Sequence, residues 1–126
     1  MRWLFPALAE DFSRCSPGAV YDGKVRALGC TVDSEEGRSA RVVYSEWTTF
    51  DSGDGHYRRK YGSPDRTDAQ FNVWSTTWVS NNFQTSRMFT SELPFSVTVA
   101  SGSKEVAEAV MDRLRFRPVA QTARYR

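Results

Sequence analysis

The stretch that decides the fold runs from residue 95 to residue 114 and reads FSVTVASGSKEVAEAVMDRL. Its first six residues alternate between apolar and small side chains, which is typical of a strand with one face in the core and one in water. After Ser101 or Ser103, either of which can cap a helix, apolar residues recur every three or four positions to about Leu114. The inward positions are Phe95, Val97 and Val99 in the strand and Val106, Ala107, Val110, Met111 and Leu114 in the helix. This pattern predicts a sheet covered by a helix.

Similar patterns supply the remaining elements. Apolar residues spaced by three and four predict a short helix over residues 3–12, while residues 51–68 indicate a loop that holds a helical turn over 56–61. The predicted strands are 24–32, 40–48, 71–79, 84–89 and 95–100. We therefore expect a two-layer α+β domain, a mainly antiparallel sheet of about five strands with an N-terminal and a C-terminal helix packed on it.

Length and composition favour one globular domain. The chain has 126 residues, 40% of them hydrophobic and 25% charged, and its net charge of +2 is too small to indicate a nucleic-acid or membrane partner. No apolar stretch approaches the roughly 18–20 residues that cross a bilayer. Pro118 should end the last helix, so we expect the domain to span 1–118 and an arginine-containing tail, 119–126, to be frayed.

Catalytic and metal-binding patterns are missing from the sequence. His56 is the only histidine, so a zinc site is not expected, and no nucleophile elbow or phosphate-binding glycine loop is present. His56 with Asp51 and Asp54 is the one conceivable base with orienting acids, but such a loop histidine is more often solvated. Asp51, Asp54 and Gly55 also lack the spacing of a calcium loop. We expect no enzyme activity, cofactor or metal.

Two segments are candidate binding sites. In Tyr57-Arg58-Arg59-Lys60-Tyr61, rings and cations alternate as in sites that contact phosphates and stack bases, although a helical turn anchored by its two tyrosines would give the same pattern. Trp74 and Trp78 are expected on one face of their strand, either in the core, which is the commoner use, or as an exposed aromatic platform.

The two cysteines, Cys15 and Cys30, are either buried thiols or one disulfide. A family resemblance bears on this choice. In the first half the resemblance is carried by LFPAL at 4–8, Phe12, Cys15, ALGC at 27–30 and VVY at 42–44. In the second half it is carried by the valine-rich strand and the Ala/Val helix that follows it. These residues resemble extracytoplasmic domains of actinobacterial envelope proteins, such as ectodomains of membrane-anchored serine/threonine kinases and small lipoproteins. The resemblance implies a Cys15–Cys30 disulfide that ties the first helix to a strand.

Two functions follow as expectations. The first is a non-catalytic binding or sensory domain outside the cytoplasm, held by the disulfide, with an unidentified ligand or protein partner. The alternative is a small cytoplasmic accessory or phage-type protein that binds nucleic acid or a protein through residues 57–61 and the arginine-rich end, Arg113, Arg115, Arg117, Arg124 and Arg126.

Overall fold

The computed structural model describes residues 15–20, 23–33, 38–79, 82–89 and 93–114. Within these ranges the chain forms seven strands and two helices, which we number in chain order. The strands are β1 (Cys15–Pro17), β2 (Lys24–Asp33), β3 (Ser39–Trp47), β4 (Arg66–Thr67), β5 (Phe71–Val79), β6 (Asn82–Phe89) and β7 (Phe95–Ser101), and the helices are α1 (Phe50–Tyr61) and α2 (Lys104–Arg113). The predicted helix over 3–12 and the tail 119–126 lie outside the described residues.

All seven strands join one antiparallel sheet in the order β1-β2-β3-β7-β6-β5-β4. Strand β7 lies at the centre, between β3 and β6, and the chain reaches the far half of the sheet through α1. The prediction of an α+β fold with a large antiparallel sheet is confirmed. The sheet is wider than predicted because β1 and β4, of 3 and 2 residues, are too short to give a periodic signal.

The main hydrophobic core lies between the sheet and α2, on what we call the α2 face. Strands β3 and β7 contribute Val42, Tyr44, Val97 and Val99, and the helix packs its apolar stripe against them. That stripe consists of Val106, Ala107, Val110 and Met111, with Leu114 partly buried beside it. Ser103 caps α2 by accepting a hydrogen bond from the backbone N–H of Val106, so one of the two predicted caps is used.

Helix α1 covers the opposite face of the sheet, which we call the α1 face. Its Tyr57 hydrogen-bonds Ser96 and Thr98, and these residues alternate along β7 with the valines of the α2 face. A second apolar cluster of Trp47, Tyr57, Trp74 and Met88 fills this side. The described elements therefore form three layers rather than the two predicted, because the segment between β3 and β4 folds into a helix that covers the face opposite α2.

Helix α1 corrects the prediction of a loop over residues 51–55. Thr49 and Ser52 form a reciprocal capping box at its first turn, with Ser in place of the usual Glu or Gln. Gly53, an unfavourable residue inside a helix, lies against Trp47, where an added Cβ would stand 2.7 Å from the Trp47 Cγ. The close contact with Trp47 thus requires glycine at position 53, and this same glycine weakens the helical pattern of the sequence.

A disulfide joins Cys15 to Cys30, as the resemblance implied, but it connects different elements. Both cysteines are strand residues, and they stand directly opposite each other in the β1–β2 ladder. The bridge therefore ties the edge strand β1 to β2, and the helix that it was expected to hold lies outside the described residues. Cys30 belongs to the main core, which places the bridge at the margin of the α2 face.

Candidate functional site

A pocket of about 340 Å³ opens on the α2 face, between α2 and the outer strands β4, β5 and β6. The alternation of β6 places Thr85 and Arg87 on this face, between the buried rings of Phe83 and Phe89. Helical spacing places Glu108 and Asp112, four residues apart, on the side of α2 that faces the pocket. The full lining consists of Asp65, Arg66, Val73, Ser75, Thr85, Arg87, Glu108, Met111 and Asp112.

Arg87 is the central charged residue of this pocket. Its side chain is only 16% exposed, and its guanidinium lies 5.6 Å from the centre of the Phe71 ring. One terminal nitrogen, Nη2, donates to Asp112 Oδ1 at 3.2 Å. The buried Nε has no hydrogen-bond partner in the part of the chain that the structure describes. A buried donor without an acceptor is costly, so Nε marks a position where an acceptor from outside would be stabilised.

The acidic residues of the pocket are in different states. Asp65 is held by β5, because its carboxylate accepts from the Ser75 backbone N–H at 2.6 Å. Asp112 accepts from Arg87 but is itself 72% exposed. Glu108 is exposed at the rim, and no described residue hydrogen-bonds its carboxylate. Asp65 is thus fixed to the sheet, Asp112 is paired with Arg87 but exposed, and Glu108 has no hydrogen-bond partner among the described residues.

The two arginines also differ. Arg66 lies 3.9 Å from Asp68 in an exposed ion pair, whereas Arg87 is largely enclosed. The pKa of Asp68 is lowered, chiefly because its carboxylate accepts the backbone N–H of Phe71, with Arg66 and Arg87 adding smaller contributions. Both arginines line the pocket, and Arg87 is the more enclosed of the two.

The segment from Tyr57 to Tyr61 lies on α1, and the structure separates its rings from its cations. Tyr57 is buried and stacks on Trp74 with ring centres 5.0 Å apart, so neither partner offers a free ring face. Arg58 pairs with Asp54 at 2.7 Å. Arg59 and Lys60 are exposed, and the Lys60 ammonium lies 5.5 Å from the half-buried Tyr61 ring. A role of these cations in binding stays a prediction.

His56 lies among cations rather than beside the predicted acids. Its ring is 5.1 Å from Trp47, and Lys24 lies over the same Trp47 ring at 5.2 Å. Burial lowers the pKa of His56, and Lys60, Lys24 and Arg59 lower it further. Asp54, one of the proposed orienting acids, instead bonds Arg58 and Asn72. Within the described ranges, no group of three or more His, Cys, Asp or Glu residues could hold a metal ion.

Trp74 and Trp78 lie on opposite faces, so the expectation of a shared face is wrong. Strand β5 has a bulge between Trp74 and Thr77, and the extra residue reverses the alternation. Trp74 is buried on the α1 face, and its Nε1 donates to the Gly62 carbonyl. Trp78 is 60% exposed and packs edge-on against Phe83, its ladder partner on the α2 face. Trp74 thus lies in the core and Trp78 on the surface, so each of the two predicted positions is taken by one tryptophan.

Sequence reasoning missed the pocket residues. A signal for Arg87 was present, since Phe83, Thr85, Arg87 and Phe89 alternate along one strand and place a charge where an apolar residue is expected. The pocket also brings Arg87 close to Asp65 and Glu108, which lie in distant segments of the chain. No local sequence pattern indicates this proximity.

Comparisons with other proteins add no identification. No protein-family model matches this chain, and no curated protein sequence and no solved structure matches it. Among the described residues, neither helix has the length and apolar character needed to cross a membrane.

Proposed function

We propose that this protein is a non-catalytic binding or sensory domain that works outside the cytoplasm and takes a small polar ligand into the pocket between α2 and β4–β6. Two observations carry the proposal: Arg87 lines a pocket of about 340 Å³, and its buried Nε has no acceptor among the residues that the structure describes. This volume lies within the usual range for small-molecule sites, roughly 300–1,000 Å³.

A sensory role is supported by the way the pocket joins two layers. Arg87 on β6 bonds Asp112 on α2, so a ligand that competes for Arg87 changes a contact between helix and sheet. Because Asp112 is largely exposed, breaking this contact costs little and leaves its carboxylate hydrated. Ligand binding can therefore loosen or shift the end of α2 without disturbing its apolar stripe.

A location outside the cytoplasm is supported by the Cys15–Cys30 disulfide and by the resemblance to actinobacterial envelope domains. Disulfides persist in oxidising compartments and are rare in the cytosol. Protein purified without reductant should resist alkylation until it is reduced. Two thiols that react freely in the folded, unreduced protein would contradict this part of the proposal.

The pocket is tested by NMR on the ¹⁵N-labelled full chain, titrated with a chemically diverse set of small acids, amines, sugars and amides. We expect at least one compound to shift resonances of α2, β5 and β6 that border the pocket. Arg87→Gln should abolish these shifts, whereas the exposed α1 control Arg59→Gln should retain them. A set that leaves all pocket resonances unchanged would overturn the proposal.

A second candidate function, polyanion binding around His56, is favoured by one observation. Lys24, Arg59 and Lys60 all act on His56, so three cations lie within electrostatic range of one imidazole. A bound polyanion would offset their repulsion of the imidazolium, and the pKa of His56 should rise on addition of inorganic polyphosphate. The rise should vanish at high salt, because phosphate contacts are displaced by added ions. An unchanged pKa at low salt would dispose of this candidate.

A further inference from the structure

We infer that the pocket recognises a small zwitterion, whose carboxylate binds Arg87 and whose ammonium group binds Glu108. This inference deepens the proposed function and rests on it. It is carried by the groups that the pocket leaves without partners, taken together with the charge of its lining.

The carboxylate half follows from the geometry of Arg87. Nε and Nη2 lie on one edge of the guanidinium, where two parallel N–H groups match the two oxygens of a carboxylate. Asp112 takes only Nη2, at 3.2 Å, and Nε remains without an acceptor among the described residues. A ligand carboxylate can bond both nitrogens, so it should displace the largely exposed Asp112.

The ammonium half follows from the charge balance. The lining holds three carboxylates, on Asp65, Glu108 and Asp112, against two guanidinium groups, on Arg66 and Arg87. A simple carboxylic acid would add a further negative charge beside Glu108 and Asp112, where like charges repel. A simple amine would leave Arg87 Nε unpaired. A zwitterion supplies the acceptor and the cation together.

The apolar part of the lining favours a short hydrocarbon spacer between the two charged groups. Val73 and Met111 face the pocket from the sheet and the helix, and they can cover methylene groups. With a volume of about 340 Å³, the pocket fits a molecule of modest size rather than a peptide or a sugar chain. The ligand class is therefore an amino acid, with the distance between its charges as the unknown.

The experiment titrates the ¹⁵N-labelled protein, observing the Arg87 Nε–H resonance, with glycine, β-alanine, 4-aminobutyrate and 6-aminohexanoate. Butyrate and butylamine serve as probes that carry only one of the two charges. We expect one member of the amino-acid series to bind at least about tenfold more tightly than either of them, a difference of about 1.4 kcal/mol. Equal binding of butyrate and the amino acids, or no binding of any amino acid, would overturn the inference.

A variant then assigns the ammonium partner. Glu108→Gln is an exposed change that should leave the fold intact and lower the affinity for the amino acid about tenfold, while the affinity for butyrate stays equal or rises. Glu105→Gln, on the first turn of the same helix and outside the pocket lining, is the matched control and should change neither affinity. An unchanged amino-acid affinity in Glu108→Gln would refute the assignment. If the diverse set binds at the pocket and amino acids do not, the inference fails while the proposed function stands.

Discussion

The two faces of the sheet bury polar groups in different ways. On the α1 face, Trp47 Nε1 donates to Ser96 Oγ at 2.8 Å, the Tyr57 hydroxyl lies 2.9 Å from the same oxygen, and Ser86 bonds Thr98. On the α2 face the core is almost wholly apolar until its outer edge, where the buried Nε of Arg87 has no acceptor among the described residues. Buried polar groups that all have hydrogen-bond partners stabilise the fold, whereas a buried donor without an acceptor is costly until a ligand supplies one. We therefore attribute stability chiefly to the first face, and the proposed binding site lies at the outer edge of the second.

The largest expected effect separates two tryptophans. Trp47→Ala removes a ring that is 1% exposed and contacts α1, so we expect the free energy of unfolding to fall by about 3–5 kcal/mol. Trp78→Ala removes a ring that is 60% exposed and should lower it by less than about 1 kcal/mol. Urea denaturation followed by circular dichroism measures both. Similar losses in the two variants would contradict the division between a packed α1 face and a largely exposed Trp78.

A smaller loss is expected from overpacking the same face. Gly53→Ala improves the helix propensity of α1 but places a methyl group 2.7 Å from Trp47 Cγ. We expect a net loss of about 1–3 kcal/mol, because backbone or ring must move to relieve the overlap. The control is Gly55→Ala, where an added Cβ meets only the end of the Arg59 side chain, so helix propensity should prevail. Stabilisation by Gly53→Ala would show that α1 packs less closely than described.

Much of the fold could be predicted from periodicity, and the exceptions have physical causes. Strands β2, β3 and β5–β7 and helix α2 each bury one face, so their sequences alternate or repeat as expected. The first half of helix α1 could not be predicted, because Gly53 satisfies a tertiary contact and weakens the local pattern, whereas the helical turn over 56–61 was expected. The bulge in β5 could not be predicted from the sequence either. Its single extra residue places Trp78 on the face of the sheet opposite Trp74.

The candidate site was harder to predict than the fold. Arg87 could have been recognised as a charge at an inward strand position, but its proposed role depends on Nε having no acceptor among the described residues, which only the three-dimensional structure shows. The motif around Tyr57 fitted either a stacking surface or a helical turn anchored by its tyrosines, and the buried Tyr57 ring agrees with the second. Sequence spacing identifies which residues share a face, but it does not show what covers that face.

A third prediction tests the hydrogen-bond network of the α1 face. Tyr57→Phe keeps the ring stacked on Trp74 and removes only the hydroxyl, which lies 2.9 Å from Ser96 Oγ. Because Ser96 still accepts from Trp47, we expect a loss of about 0.5–1.5 kcal/mol, the usual contribution of one hydrogen bond. Thermal unfolding measures this change. No loss at all would mean that the network contributes little beyond packing.

The smallest effect on stability is expected at Arg87, and there the comparison between the faces is sharpest. Arg87→Met keeps an unbranched side chain against Phe71 and removes a charge whose Nε has no partner within the described ranges. The free energy of unfolding should therefore change by less than about 1 kcal/mol in either direction, because the lost bond to the exposed Asp112 is offset by the desolvation that Met avoids. The same variant should lose pocket binding in the NMR titration. A loss of stability as large as that of Gly53→Ala would instead make Arg87 a structural residue, and the outer edge of the α2 face would then resemble the α1 face.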